Sequence, residues 1–324
     1  MRIWWCVWAV GLSLLLAVLP ARAGNVKATQ KGGTLTLKGD GHGAVLGLSG
    51  ALPMDVGVAG QVVITPMSGT TVNATTGLEQ FNGVANVNLA FGAHGDNAVS
   101  VQLLTLDGSI TYKGGSGSDL FSVSGSQLMG NLTVAAKGAL GFSCTTSSQV
   151  GGKLSVKAAA ADDSANLNCP VGGGVSVSLG DGDNAVSAGG TLGDIVIFDS
   201  LQLKTGRGSD DVTLSFLNLL TSGKLDLGSG SNVLQLKSVA LPGDLQAKGK
   251  AGSDIVITNS LTVGGDVNFA LGDGNNHTQL ESTEIDGALF ISGGRGDDVV
   301  LFVNPPTIGH GPFYRLDGGN NEVP

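Results

Sequence analysis

Gly208-Ser209-Asp210, Gly230-Ser231-Asn232, Gly252-Ser253-Asp254, Gly274-Asn275-Asn276 and Gly296-Asp297-Asp298 are one tripeptide met five times at a constant interval of 22 residues. Each ends in Asp or Asn and leads into an apolar or β-branched strand. A fixed interval held this long marks a solenoid, in which each coil of chain stacks on the one before. The same interval joins Ile110, Leu132 and Leu154, and also Tyr112, Val134 and Val156; later it joins Leu245, Val267 and Leu289. Two longer apolar columns hold Val212, Leu234, Val256, Thr278 and Val300, and Leu219, Leu241, Val263, Ile285 and Thr307.

Inside each block the apolar residues alternate with small or polar ones, as in Val267-Asn268-Phe269, which is the period of a strand. Recurrent glycine and the lack of a sustained 3.6-residue stripe argue against helices. Three short strands per 22 residues, each with one face inward, predict an all-β chain wound as a right-handed parallel β-helix. Equivalent residues of successive coils then stand roughly 4.8 Å apart, and about ten coils give a rod roughly 50 Å long.

The first 23 residues read as a cleaved signal peptide. Arg2 supplies the positive start, an apolar run extends from Ile3 to Leu19, and Ala21-Arg22-Ala23 is a small-x-small cleavage site. With that leader go Cys6 and all three Trp, Trp4, Trp5 and Trp8. Without Arg2 and Arg22, a chain of 17 basic and 26 acidic residues keeps a net charge of −11. So acidic a chain, poor in Arg clusters, is a bad fit to nucleic acid or to anionic membrane surfaces. No later apolar run is long enough to span a membrane, so export to the periplasm, cell surface or medium is expected.

The period divides the exported chain. Residues 24–90 read as an irregular N-terminal capping segment with the first strands, containing Pro53, Pro66 and the Thr-rich stretch from Thr70 to Gly77. Residues 91–304 read as the coils, and 305–324 as a C-terminal cap or tail in which Pro305-Pro306 and Phe313-Tyr314 cover the last edge. The step from Asn184 to Asp210 is 26, so a longer turn is expected there. Cys144 and Cys169 lie 25 apart, one coil plus three residues. Export favours a disulfide between them, while the mismatch in register opposes it.

Two turns fit the calcium-binding nonapeptide G-G-x-G-x-D-x-U-x, at Gly114–Ser122 and Gly293–Leu301, and several others come close. Glycine permits the positive φ that turns carbonyls toward an ion, and Asp brings the charged oxygen. The calcium candidates are Asp119, Asp183, Asp210, Asp254, Asp297 and Asp298. The spacing weighs against them. In repeats-in-toxin proteins, which these turns distantly resemble, the nine-residue units run in tandem, whereas here one turn occurs per coil. The alternation of Asp with Asn also separates the carboxylates, which suits a metal-free ladder of side-chain hydrogen bonds.

His42, His94, His277 and His310 form no cluster, and Asp162-Asp163 and Asp210-Asp211 read as solvated turns rather than paired catalytic acids. No Ser-His-Asp or Cys-His order has a recognisable local signature, and without Trp the exported chain lacks platforms for sugar rings. An enzyme acting on acidic polysaccharide therefore rests on fold analogy alone. An ice-binding face would repeat Thr-x-Thr in every coil, and Thr34-Leu35-Thr36 stands by itself.

The order of pieces resembles the secreted β-strand-repeat proteins of environmental bacteria. It runs from Gly33-Thr34-Leu35-Thr36-Leu37-Lys38-Gly39-Asp40-Gly41, through Thr70 to Gly77, to repeats such as Gly265-Asp266-Val267-Asn268-Phe269-Ala270-Leu271-Gly272-Asp273-Gly274-Asn275-Asn276. The resemblance covers nearly the whole exported chain except Leu140 to Gly174, where the turn motif decays. It implies export and a β-solenoid, and carries no established activity. The expected role is a non-enzymatic structural or adhesive protein at the cell surface or beyond it. Its expected partners are envelope polymers, cell-surface components or other solenoid proteins, and no cofactor is required. A calcium-binding extracellular repeat protein and a polysaccharide-acting β-helix enzyme are the alternatives.

Overall fold

A computed structural model describes residues 24–50, 60–92 and 94–324. The expected leader at residues 1–23 and Pro53 lie outside the described residues. The described chain is all β-strand and turn. It winds as a parallel solenoid of about ten coils, because side chains that alternate in and out can fill a core only when like strands stack.

Each coil contributes to three faces. The first face stacks strands such as Ile110–Lys113, Leu132–Ala135 and Leu154–Lys157, in the register Ile110↔Leu132↔Leu154 and Tyr112↔Val134↔Val156. The second stacks strands such as Asn97–Gln102, Asp119–Ser124 and Leu140–Cys144. The third is narrow, beginning with the pairs Thr105–Leu106, Gln127–Leu128 and Gln149–Val150. In the later coils the second and third faces merge into nine-residue strands, Asp211–Leu219, Val233–Leu241 and Ile255–Val263, each bent at one residue with positive φ.

The predicted columns are rows of the core. Val212, Leu234, Val256, Thr278 and Val300 pair in sequence and are all buried. The other long column ends differently, since Ile285 pairs with Ile308 and Thr307 pairs with Glu284. The Pro305-Pro306 turn adds one residue, making the last step 23. Between Phe91 and Phe142 the core is aromatic, with ring centroids 5.8 Å (Phe91–Tyr112), 4.9 Å (Tyr112–Phe121) and 6.4 Å (Phe121–Phe142) apart. The longer turn expected before Asp210 falls at residues 190–195, where Leu192 projects into solvent.

The two ends are finished differently. At the N-terminal end, strand Asn25–Lys31 pairs antiparallel with Thr34–Gly39, and Val62–Met67 lies antiparallel between Val45–Ser49 and Glu79–Phe81. Reversing strand direction ends the parallel stack and spares it a bare edge. At the C-terminal end, Thr307–Leu316 pairs in parallel with Glu284–Gly293. That strand continues the parallel pairing of the coils over the edge of Glu284–Gly293.

Candidate functional site: the Asx column and the outer groove

At the entry to the second face a turn, usually with glycine, brings an Asp or Asn into the interior in most coils. The rungs are Asn97, Asp119, Asp163, Asn184, Asp210, Asn232, Asp254, Asn276 and Asp298, all buried, followed by Asn321 at the exposed end. Glycine precedes most of them by two places because the backbone there takes φ of 125–138°, as at Gly208, Gly230, Gly252, Gly274 and Gly296.

The bonding repeats from coil to coil. The backbone N–H of each rung donates to Oδ1 of the next: Asn184 to Asp210 (2.9 Å), Asp210 to Asn232 (3.1 Å), Asn232 to Asp254 (3.0 Å), Asp254 to Asn276 (3.0 Å) and Asn276 to Asp298 (3.1 Å). Every interior Asn also donates through Nδ2 to the following Asp Oδ1, at 2.7 Å from Asn97, 2.8 Å from Asn184 and Asn232, and 2.9 Å from Asn276. The same Nδ2 donates to the carbonyl of the glycine two places before it, Gly95, Gly182, Gly230 or Gly274. An amide thus serves both neighbours and its own turn.

The Asp rungs are bonded on one side only. Oδ1 collects the donors just named, while among the described residues Oδ2 of Asp119, Asp163, Asp210, Asp254 and Asp298 is buried without a donor. Burial pushes the Asp163 and Asp254 carboxyls up to about 6, against the lowering effect of the N–H groups they accept. Burial also raises Asp119, opposed first by the Asn97 amide that donates to its Oδ1. Tyr112 is held well above its ordinary value by burial and then by the Asp119 charge.

The sequence singled out Asp119, Asp210, Asp254 and Asp298 as calcium candidates, and the structure makes them rungs. Asp183 and Asp297 sit one residue before a rung and face outward, where Oδ1 of each accepts a backbone N–H of the next coil, from Ser209 and Asn320. Between Asn184 and Asn321 each Asp rung has Asn on both sides, so the next carboxylate is two coils, or roughly 10 Å, away. Such a column offers an ion far fewer free oxygens than the about six to eight that calcium takes. Among the described residues no three His, Cys, Asp or Glu side chains are placed to hold an ion together.

Two rungs went unrecognised in the sequence. The sequence reads Asp163 as a solvated turn residue, yet it is buried and accepts the Leu140 N–H at 2.7 Å. Its spacing hid it, since Leu140 takes the rung position in the coil before and the steps around it are 21 and 23. Asn97 stands the usual 22 before Asp119, so its signal was present. The turn decay around Leu140 therefore costs the column a single rung. Cys144 and Cys169 are joined in a disulfide with Cα atoms 5.4 Å apart. Cys144 pairs in register with Leu167, so Cys169 lies only two places further along the next coil and points into the same core.

A second feature lies outside the coils. A groove of about 960 Å³ runs along the outer surface of the second face. Its floor carries Ser100, Ser122, Ser143, Asn166, Ser187 and Thr213, one per coil, and Met67 and Ser68 stand at one end. Small side chains and Gly141 line it together with Leu120 and the carboxylates of Asp96 and Asp211, and no Lys or Arg does.

The chain thus belongs, by architecture, to the parallel β-solenoids. Comparison with known proteins found no matching family model, no matching curated protein and no matching solved structure.

Proposed function

We propose that this chain is an exported, non-enzymatic rod that adheres to an uncharged polymer of the cell envelope along the outer groove. The observation that carries the reading is the groove floor: hydroxyl and amide groups recur roughly every 4.8 Å, matched to a long partner lying along the rod. With no basic side chain and two carboxylates, Asp96 and Asp211, in its lining, the groove favours neutral polymers over polyanions. The interior disulfide supports an oxidising location outside the cytoplasm.

The test is co-sedimentation of the purified protein with envelope polysaccharides and peptidoglycan. Ser122→Trp and Ser143→Trp fill the groove from outside without entering the core, and each should reduce retention at least about tenfold if several contacts are lost together. Undiminished retention of both variants would rule out the groove. Release of reducing ends from the retained polymer would replace adhesion with catalysis.

A further inference from the structure

We propose that two rungs of the Asx column, Asp163 and Asp254, are proton-holding sites that in mild acid are neutral and carry Oδ2–H, so that the solenoid tightens in acid and loosens as the pH rises. This goes beyond the adhesive role and does not depend on it.

The geometry starts from the Asn rungs. With Oδ1 accepting the N–H of the rung before, each interior Asn aims Nδ2 at the next rung and at the glycine carbonyl of its own turn. An Asp with the same Oδ1 engagement places Oδ2 where that donor stands. Asp254 fits this description: Oδ1 takes both the N–H and Nδ2 of Asn232, and Oδ2 is buried beside Gly249 with no donor. Asp210 and Asp298 share the arrangement, and Asp163 differs only in accepting from Leu140. An ionised oxygen there has no donor in a place closed to water, which costs heavily. A proton on Oδ2 of Asp163 or Asp254 turns that atom into a donor at the place where an Asn rung carries Nδ2.

The surroundings offer no other compensation at Asp163 and Asp254. The ion pairs among the described residues are Arg207–Asp181 and Arg315–Asp317, and neither includes a rung. The neighbouring titratable groups are Asp162 beside Asp163, and Asp210 and Asp298 two coils either side of Asp254; Lys248 and Lys250 of the same turn are exposed to solvent. The acidic neighbours favour the neutral form. Asp119 is a separate case, since the Tyr112 hydroxyl is buried against it.

The sign follows from linkage. A carboxyl raised from about 3.9 when unfolded to about 6 when folded binds its proton more tightly in the native chain. Its stabilisation is complete below pH ~4 and is lost as the pH climbs through ~6.

The experiment is thermal melting between pH 4 and 7 in chelator, on the full chain and on Asp163→Asn, Asp254→Asn and the exposed control Asp286→Asn. Asn is the native residue at alternate rungs, so both rung variants are expected to fold. The wild type should lose at least about 5 °C in Tm over that range. Each rung variant should flatten the slope, and the control should leave it unchanged. Carbon-13 NMR of the Asp carboxyls supplies a second readout, with Asp163 and Asp254 titrating near pH 6. A slope equal in wild type and rung variants, or rung midpoints at ordinary carboxylate values, would overturn the proposal. Restoration of the neutral-pH Tm by calcium alone would overturn it in favour of a cation.

Discussion

Asn232 and Asp254 differ in one terminal atom, and that atom separates a side chain with every polar group satisfied from one left with an orphaned oxygen. The sequence announced the position of such residues, because a 22-residue interval needs no structure to be seen. It could not announce their burial: an Asp or Asn in a turn ordinarily faces solvent, and Asp162-Asp163 reads that way in the sequence. Rungs off the interval, Asp163 above all, emerge only once Leu140 is known to occupy a rung site. The core residues were more legible. Phe121 belongs to the aromatic row between Phe91 and Phe142 and is buried, with neighbouring rings on both sides. Phe121→Ala leaves a void that flanking coils cannot close without breaking register, so a cost of about 3–5 kcal/mol is expected. Denaturant titration measures it, and a loss below about 1 kcal/mol would mean the coils can collapse around the gap.

At the scale of the coil, two backbone features repeat, and only one was readable. The turn glycine is evident in the sequence. Its physical reason is double: Gly252 has φ of 131°, and a Cβ there would run into the Gly230 carbonyl of the coil before. Gly252→Ala therefore both strains the turn and pushes two coils apart. A loss of at least about 2 kcal/mol is expected from these causes together, read as a lower denaturation midpoint, and a neutral outcome would show that the turn can rearrange. The second feature is the bend that folds the second face into the third. It falls at Phe216, Ser238, Ser260, Ser282 and Asn304, again 22 apart, all with φ of 48–56°. Serine and phenylalanine give no hint of left-handed backbone, so the sequence reads each bent strand as two. The bend stays in register because parallel pairing continues on both sides of it.

Across the whole molecule, stability is a sum over coil-to-coil interfaces, so a weak coil matters more than its own residues imply. The region from Leu140 to Gly174 is where the turn motif decays and the column loses a rung, and it is also where Cys144 ties its coil to Cys169 in the next. The covalent link thus lies where the hydrogen-bonded ladder is interrupted. Closing a loop with a sequence separation of 25 stabilises by about 3.5 kcal/mol on chain-entropy grounds. Cys144→Ala with Cys169→Ala adds two small voids to that loss, so the double variant should melt below the reduced wild type, and both below the oxidised protein. The order of loss matters more than its size. If this region is the weak interface, limited proteolysis of the double variant should cut first between residues 140 and 174 and leave later coils such as 211–303 as a protected fragment. Cleavage distributed evenly along the rod would show instead that the coils unfold as one unit and that the disulfide secures no particular joint.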